Sequence, residues 1–376
     1  MILIASDSHK EFKSSLSVAN LIRDGMNNDC KRKCNVLGVS DGGEGFLRSI
    51  AKHLNVKIHK IMVHDPIRRL TEAQVGIYKN VGFIEMAEAS GVQKFENGYR
   101  DFMNSSSYGT GEMISYAINK GCKKIILGLG GAGTGDGGIG AAQALGVKLS
   151  IEKNDKQKIL TTKDLQYVKN IHIDKKIIDY KNVELIIASD VQNLAIGKNG
   201  ATKIFGPQKG GSPDQIETIE KAMVNYLKLL EFKSKKKLNI SGSGAAGAIS
   251  ISLCSLFKSQ IKNGFDVVSE LIDLEEKIKE SDWVITGEGS LDRLSLLGKI
   301  PFQIAKICKK NDKKIIGIFG TIKNIPLSDL SDFEMIIDCS KNKKTDFFSD
   351  HFQKIEGPSR LLKAGEKAAK YILSYR

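Results

Sequence analysis

Short apolar runs rich in isoleucine and valine recur along the chain, with amphipathic stretches between them. Continuous apolar runs of this length are typical of strands buried on both faces. The predicted strands are Ile2–Ala5, Asn35–Val39, Lys57–Val63, Ala73–Tyr78, Gly82–Met86, Lys124–Leu129, Glu184–Ala188, Trp283–Thr286, Lys314–Phe319 and Met335–Asp338. Between them apolar residues recur at helical spacing, as at Val18, Ile22 and Met26. This alternation predicts an α/β fold with mostly parallel strands.

The strands between residues 57 and 86 follow one another too closely for helices to connect them, and this spacing predicts hairpins. We therefore predict an inserted domain. Residues 1–60 plus 265–376 would form a discontinuous, doubly wound, flavodoxin-like domain with a parallel sheet. Residues 61–264 would form a second α/β domain that carries the glycine-rich segments, with the active site in the cleft between the two domains.

The chain is strongly basic, with a formal net charge of +14. Such a charge can attract nucleic acid, but proteins that stack bases need aromatic side chains beside it. Here the lysines are scattered, and the run at 233–237 has no aromatic residue within it. We therefore expect a solvated lysine-rich surface and no nucleic-acid partner, although an anionic substrate would gain from the positive field.

Cysteine spacing and hydropathy predict a cytoplasmic protein with no membrane partner. The six cysteines form no C-x-x-C pair, so neither a disulfide framework nor a zinc site is expected. No apolar run approaches the roughly 20 residues that span a bilayer. The apolar stretch at residues 2–5 lacks a preceding basic region, and we expect a first strand there rather than a signal peptide.

Eight of the thirteen residues from Gly128 to Gly140 are glycine, between a predicted strand and a predicted helix. Free backbone N–H groups at a helix N-terminus attract anions, and glycine lets a phosphate approach the main chain. We predict substrate or phosphate contacts at Gly130, Gly131, Thr134 and Asp136. The alternative is tight packing of this backbone against a neighbouring helix.

Gly128, Gly130 and Gly133 also satisfy G-x-G-x-x-G, with Glu152 positioned 24 residues beyond Gly128. This pattern is close to a dinucleotide-binding fingerprint and leaves an NAD-dependent oxidoreductase as an alternative. The pattern recurs at Gly242, Gly244 and Gly247, so it carries little information in a chain with 37 glycines. No Walker A sequence is present.

Acidic residues sit beside glycine or just after predicted strands at Asp7, Asp41, Asp136, Asp190 and Glu288. Residues past the carboxyl ends of parallel strands face the ligand crevice. Carboxylates gathered there can hold Mg²⁺, and one can accept the proton of a substrate hydroxyl. The alternative for each is a role in a turn.

Phosphoryl transfer also requires positive charge against the phosphates. Lys13, Lys209 and Lys299 each lie in a predicted loop next to glycine or serine, which distinguishes them from the chain's many surface lysines.

Taken in order, these segments resemble bacterial glycerate kinases of the type related to the galactarate and glyoxylate pathways, from residue 2 to about residue 320. The matching stretches are Asp7-Ser8, Phe12-Lys-Ser-Ser-Leu-Ser17, Asp41-Gly-Gly-Glu-Gly45, Ile84-Glu-Met-Ala-Glu-Ala-Ser-Gly91, Tyr108-Gly-Thr-Gly-Glu112, Gly128–Gly138, Asp190-Val191, Phe205-Gly-Pro-Gln-Lys-Gly210, Gly242–Gly247 and Ile285-Thr-Gly-Glu-Gly289 with Asp292, Lys299 and Pro301.

The resemblance implies an ATP- and Mg²⁺-dependent kinase that converts glycerate to phosphoglycerate, with the 2-phosphate more expected than the 3-phosphate. The partners would be glycerate and the nucleotide, in a monomer or a homodimer. The predicted catalytic residues are Asp190, the first choice for the base, Asp7 and Lys13. The predicted substrate- or phosphate-binding residues are Gly42, Gly43, Ser90, Gly130, Gly131, Thr134, Asp136, Lys209, Gly287 and Lys299. The predicted metal ligands are Asp190, Asp41 and Glu288.

The chain departs from the family pattern in several loops. Compared with the family pattern, three residues are inserted after Asp7-Ser8, so Lys10 and Lys13 are both candidates for the family's lysine. The family's Asn-Pro-Leu becomes Asn193-Leu-Ala195, and its Gly-Gln-Thr becomes Arg293-Leu-Ser295. A relative that binds the ligand without turning it over is therefore a further alternative.

Overall fold

The structure is a computed structural model that describes residues 1–9, 12–43, 45–151, 158–173, 179–293, 295–323, 325–340 and 349–375. The chain packs into two compact units. Unit 1 comprises Met1–Asp41, Arg48–Ile50 and Val268–Arg376, and unit 2 comprises Gly42–Leu47 and Ala51–Val267. The sequence analysis placed domain boundaries after residues 60 and 264. Those boundaries refer to domains that fold independently, and the division into packed units does not test them. They stay a prediction.

The described strands include every strand predicted above, to within three residues at either end. The strands are β1 Ile2–Ser6, β2 Cys34–Gly38, β3 Lys57–His64, β4 Leu70–Tyr78, β5 Val81–Glu85, β6 Lys124–Gly128, β7 Lys148–Ile151, β8 Val168–His172, β9 Glu184–Ala188, β10 Lys258–Lys262, β11 Trp283–Thr286, β12 Ser290–Leu291, β13 Lys314–Phe319, β14 Thr321–Ile322 and β15 Met335–Asp338.

The α-helices alternate with these strands over most of the chain. They are α1 Ser15–Gly25, α2 Asn28–Lys31, α3 Phe46–Leu54, α4 Ala87–Ser90, α5 Tyr108–Asn119, α6 Ile139–Ala144, α7 Ala201–Phe205, α8 Pro213–Ser234, α9 Ala245–Leu256, α10 Gly264–Leu271, α11 Leu274–Lys279, α12 Ile300–Lys310 and α13 Gly357–Ser374. Within the described ranges, no helix combines the length and the apolar character needed to cross a bilayer.

Unit 1 is built on a five-stranded sheet in the order β15-β13-β11-β1-β2, and all of its strand pairs are parallel. Counted along the chain, this order is 2-1-3-4-5, which is the flavodoxin-like arrangement. The predicted α/β fold with a parallel, doubly wound sheet is confirmed. The order reverses between the paired strands β1 and β11: the chain continues from β1 to β2 on one side and from β11 to β13 on the other.

Helices α1 and α13 pack closely in unit 1 because glycine removes the side chain at their contact. A Cβ on Gly365 would lie 1.9 Å from the carbonyl oxygen of Ile22, and one on Gly25 would lie 1.9 Å from that of Leu362. The predicted apolar face of α1 is buried, since Val18 and Ile22 are both fully inaccessible to solvent. Backbone contact thus replaces side-chain interdigitation along this helix pair.

Unit 2 contains a six-stranded sheet in the order β10-β9-β6-β5-β4-β3. Strands β3, β4 and β5 form the antiparallel hairpins expected from their spacing, and β5, β6, β9 and β10 are parallel. The sequence did not indicate β10 at the sheet edge, or the separate antiparallel pair of β7 and β8. Strand β10 escaped notice because its lysines are exposed and it lacks an apolar run.

Candidate functional site

The carboxyl ends of β1 and β11 lie where the strand order of unit 1 reverses, which is where doubly wound sheets bind ligands. Asp7 follows β1, and Gly287 and Glu288 follow β11. The backbone N–H of Asp7 donates to the carbonyl oxygen of Gly287 at 3.0 Å. A Cβ on Gly287 would lie 1.7 Å from the carbonyl oxygen of Ile318, so this glycine is required for strand packing. The packing role is established, and the predicted substrate contact of Gly287 stays a prediction.

Glu288 is a buried carboxylate, with only 4% of its surface exposed. Its Oε2 accepts a hydrogen bond from Lys299 Nζ at 3.0 Å. Its Oε1 is buried and has no hydrogen-bond partner among the described residues. Burial raises the pKa of Glu288, while hydrogen bonds from Ser295 and Lys299 oppose the rise. An unsatisfied buried oxygen is costly, so this one is suited to a cation or a donor on a ligand.

The ammonium of Lys299 is shared among three oxygen-bearing side chains. Besides Glu288, it donates to Ser295 Oγ at 3.1 Å and lies 3.6 Å from Asp292 Oδ1. Asp292 in turn accepts from the backbone N–H of Ser295 at 3.1 Å. Ser295 therefore joins this cluster through two groups, its backbone N–H on Asp292 and its hydroxyl on Lys299.

The loop after β1 closes into a tight turn between His9 and Lys13. Each backbone N–H of this pair donates to the carbonyl oxygen of the other, both at 3.0 Å. The Lys13 ammonium lies 5.4 Å from the centroid of the Phe12 ring. Lys10, the other candidate for the family's lysine, lies outside the described residues. Asp41 is half-buried. It is the last residue of the first segment of unit 1, and Gly42 and Gly43 follow it in unit 2.

His9 is a residue that the sequence argument did not single out. It is 6% exposed, and its Nε2 has no hydrogen-bond partner within the described chain. Burial lowers its pKa to about 4, so the imidazole is neutral near pH 7. A single histidine in an inserted loop gives no motif, and only its burial draws attention to it.

In unit 2, Asp136 organises the glycine-rich loop between β6 and α6. Its carboxylate accepts from the N–H and Oγ of Ser107 at 2.9 and 2.8 Å, and from the N–H groups of Gly138 and Gly140 at 3.1 and 3.2 Å. The side chain is fully buried. Burial raises the pKa of Asp136, and these four hydrogen bonds oppose the rise. The carboxylate is therefore an internal anchor of the loop.

The geometry of this loop does not fit dinucleotide binding. In that fingerprint the helix opens within the glycine motif, whereas α6 begins at Ile139, six residues past Gly133. Glu152, the acidic residue of that pattern, lies outside the described residues.

Lys209 and Thr134 form a buried polar pair beside Asp136. Lys209 is 6% exposed, and its Nζ donates to the carbonyl oxygen of Thr134 at 2.7 Å. Burial lowers the pKa of Lys209 to about 8, although the charge of Asp136 opposes this. Thr134 Oγ1 is also buried without a partner in the part of the chain that the structure describes. Because an ammonium has three donors, this pair has unused hydrogen-bonding capacity suited to a ligand oxygen or a water.

The glycines at positions 42 and 43 lie directly against the glycine-rich loop. A Cβ on Gly130 would lie 2.3 Å from the Cα of Gly43, and one on Gly128 would lie 2.4 Å from the carbonyl oxygen of Gly42. Gly131 has a φ of +63°, in the left-handed region that favours glycine. Four of the glycines predicted to bind substrate or phosphate, at positions 42, 43, 130 and 131, therefore lie close together. Close approach of the backbone is one reason why these positions are occupied by glycine.

Two further buried side chains support this region. Ser90 Oγ lies 2.7 Å from Thr110 Oγ1, and the carbonyl oxygen of Ser90 accepts from the N–H of Gly133 at 2.9 Å. Glu85, which sequence reasoning gave no role, accepts from the N–H groups of Gly45 and Leu47 at 2.9 and 3.2 Å. Its position at the end of a predicted strand was the available signal.

The second glycine motif has a packing role. A Cβ on Gly244 would lie 2.2 Å from the carbonyl oxygen of Leu194, and one on Gly247 would lie 2.2 Å from that of Thr134. Residues Ala246, Gly247 and Ala248 all have left-handed backbone angles. The chain here turns sharply beneath the loop that follows β9.

The predicted metal ligands are divided between the units. Asp41 and Glu288 belong to unit 1, whereas Asp190, an exposed residue just after β9, belongs to unit 2. Among the described residues, no three His, Cys, Asp or Glu side chains form a group that could hold a metal ion. The predicted Mg²⁺ site therefore stays a prediction.

Comparison with known proteins identifies the family. A model of the glycerate kinase family matches residues 2–346. The chain is 35% identical to glycerate 2-kinase of Escherichia coli K12 and 34% identical to glycerate kinase of Bacillus subtilis 168, each over 329 residues and 85% of both chains. A crystal structure assigned to glycerate kinase 2 of Salmonella typhimurium LT2 superposes with a TM-score of 0.83 at 29% identity, covering 99% of this chain and 98% of that one. This chain belongs to the glycerate kinase family.

Proposed function

We propose that this protein transfers the terminal phosphoryl group of ATP to a hydroxyl of glycerate, with 2-phosphoglycerate as the product. The observation that carries the proposal is the buried Glu288–Lys299 pair at the strand reversal of unit 1, where Glu288 keeps one oxygen unsatisfied. A buried acid beside a lysine suits a site that handles a cation and phosphates together. The product follows the name of the 35% identical relative, glycerate 2-kinase.

Glu288 also meets the chemical requirement for Mg²⁺, a hard cation that prefers carboxylate oxygens. Its Oε1 is available in the described chain, and Asp41 is the second proposed ligand from unit 1. Asp190 is proposed to contribute from unit 2. When bound, the ion would neutralise charge that develops on the phosphoryl oxygens.

The remaining roles fall to side chains of each unit. Asp190 is proposed to accept the proton of the glycerate hydroxyl, because it is exposed after a strand end, with Asp7 as the second candidate. Lys209 and Thr134 are proposed to bind a substrate oxygen through their unused donors. Asp136, whose oxygens already accept four hydrogen bonds, would act by holding the glycine-rich loop in place.

The test is the ³¹P NMR spectrum of the product after incubation with ATP, Mg²⁺ and either D- or L-glycerate. The expected result is a 2-phosphoglycerate signal with one enantiomer and stoichiometric ADP. Omitting the acceptor and substituting hydroxypyruvate serve as controls. ADP release without acceptor would instead indicate ATP hydrolysis. The absence of any phosphoglycerate, with nucleotide binding retained, would favour a non-catalytic relative and overturn the proposal.

A further inference from the structure

His9 is a buried polar residue of unit 1 that none of the roles assigned above uses. It lies just after β1 and is the first of the three residues inserted relative to the family pattern, so the family's motifs assign it nothing. A Cβ on Gly289 would lie 3.3 Å from the Cα of His9 and 3.7 Å from its Cγ. His9 therefore packs against the segment that follows β11, directly after Glu288.

The turn that presents His9 is fixed at its base. The backbone groups of His9 and Lys13 exchange two hydrogen bonds, and the N–H of Phe12 also donates to the carbonyl oxygen of His9 at 2.9 Å. The ring of Phe12 packs on that of Phe352, with centroids 5.2 Å apart, and a Cβ on Gly357 would lie 2.5 Å from Phe12 Cζ. These contacts tie the turn to the start of α13 and hold the His9 backbone in one place.

The imidazole of His9 carries a hydrogen-bonding atom that the described part of the chain does not use. Its Nε2 is buried without a partner there, as are Glu288 Oε1 and Thr286 Oγ1 at the carboxyl end of β11. Buried polar atoms of this kind are rare in native proteins unless a water or a ligand satisfies them. Burial lowers the pKa of His9 to about 4, so near pH 7 the ring is neutral and has one donor and one acceptor nitrogen.

We propose that His9 Nε2 donates a hydrogen bond to an anionic oxygen of a reactant, either a phosphate oxygen of the nucleotide or the carboxylate of glycerate. The inference rests on the proposed kinase function. Phosphate and carboxylate oxygens only accept hydrogen bonds, so the tautomer that fits them carries its proton on Nε2. A cationic side chain here would be attracted to Glu288, whereas a neutral imidazole binds an anion and leaves the free oxygen of Glu288 for a cation.

The first test is ¹H–¹⁵N NMR of the full-length protein labelled at histidine, in which His9 is assigned from the resonances lost in His9→Gln. Glycerate and inorganic tripolyphosphate are the probes, added separately and then together with Mg²⁺. Tripolyphosphate should move the His9 Nε2 resonance if the oxygen belongs to a phosphate, and glycerate should move it if the oxygen belongs to the acceptor. A His9 resonance that neither probe moves would overturn the inference.

The second test uses steady-state kinetics of His9→Phe, which keeps a ring in the buried position and removes the donor. The KM of the reactant identified by NMR should rise at least about tenfold, the scale of a lost hydrogen bond to a charged acceptor, with kcat little changed. His9→Gln, which retains an N–H donor, should restore most of the affinity. A lowered kcat with both KM values unchanged would indicate a packing role and overturn the inference.

His172→Phe is the matched control, because His172 is an exposed histidine of β8 in unit 2, and it should leave both KM values unchanged. Product formation by the unchanged protein separates the two proposals. Normal KM values in His9→Phe would overturn the inference and leave the kinase function standing. Conversely, a His9 resonance that moves with a probe in a protein that forms no phosphoglycerate would overturn the function and keep the anion contact.

Discussion

The buried ammonium of Lys209 should make the stability of this protein rise with pH. Its pKa in the folded chain is lowered from 10.5 to about 8 because burial penalises the charged form. Between these two pH values the unfolded chain holds the proton and the folded chain has lost it. Since the unfolded state then binds more protons, the free energy of unfolding increases from about pH 8 to about pH 10.5.

The magnitude follows from the difference between the two pKa values. At about 1.4 kcal/mol for each tenfold change, the full penalty of burying the charge is about 3 kcal/mol, present below pH 8 and relieved at high pH. Between pH 7 and pH 9 the relief amounts to about 1 kcal/mol.

Urea unfolding of the unchanged protein and of Lys209→Met, at pH 7 and pH 9 and constant ionic strength, measures this effect. The unchanged protein should gain about 1 kcal/mol relative to the variant over this interval. Lys228→Met is the matched control, because Lys228 is exposed on α8 and its ammonium is hydrated in both states. If the unchanged protein and Lys209→Met showed the same pH dependence, the argument for a charged, buried Lys209 would be wrong.

The other predictions concern one residue each. Asp190→Asn should keep ATP affinity and lower kcat at least ~100-fold, the scale of general-base catalysis; near-normal turnover would remove Asp190 as the base. Glu288→Gln should raise the Mg²⁺ concentration for half-maximal activity roughly tenfold, and an unchanged Mg²⁺ dependence would contradict its role as a ligand. Gly365→Ala should lower the free energy of unfolding by about 1–3 kcal/mol, because its Cβ meets the Ile22 carbonyl. Lys363→Ala, on the exposed side of the same helix, should change it little.

Most strands could be predicted because their signal is local. A strand buried on both faces, such as β1 or β11, is mostly apolar, and that run is visible in the sequence. Strand β10 could not be predicted in this way, since an edge strand with exposed lysines has no such run. The alternation of strands and helices predicted the class of fold, a doubly wound parallel sheet. It did not by itself give the individual strand pairs.

The sequence predicted which segments form the candidate site, but it did not predict the role of each residue in them. The spacing of glycines and acids selected Asp136, Lys209 and Glu288, but it did not distinguish their environments. Asp136 accepts four hydrogen bonds from its own neighbourhood, whereas Glu288 keeps a free oxygen. His9 and Glu85 were missed because each is a single residue whose importance comes from burial or from its partners.

By itself, the sequence determined the positions of the apolar strands, the α/β class and the family, because apolar runs and ordered motifs are properties of neighbouring residues. Only the tertiary structure decided which glycines are needed for packing, as at Gly287 and Gly244, and which charged groups keep free hydrogen-bonding capacity. The physical reason is that burial and hydrogen-bond partners come from residues far apart in the chain, and these contacts exist only once the chain has folded.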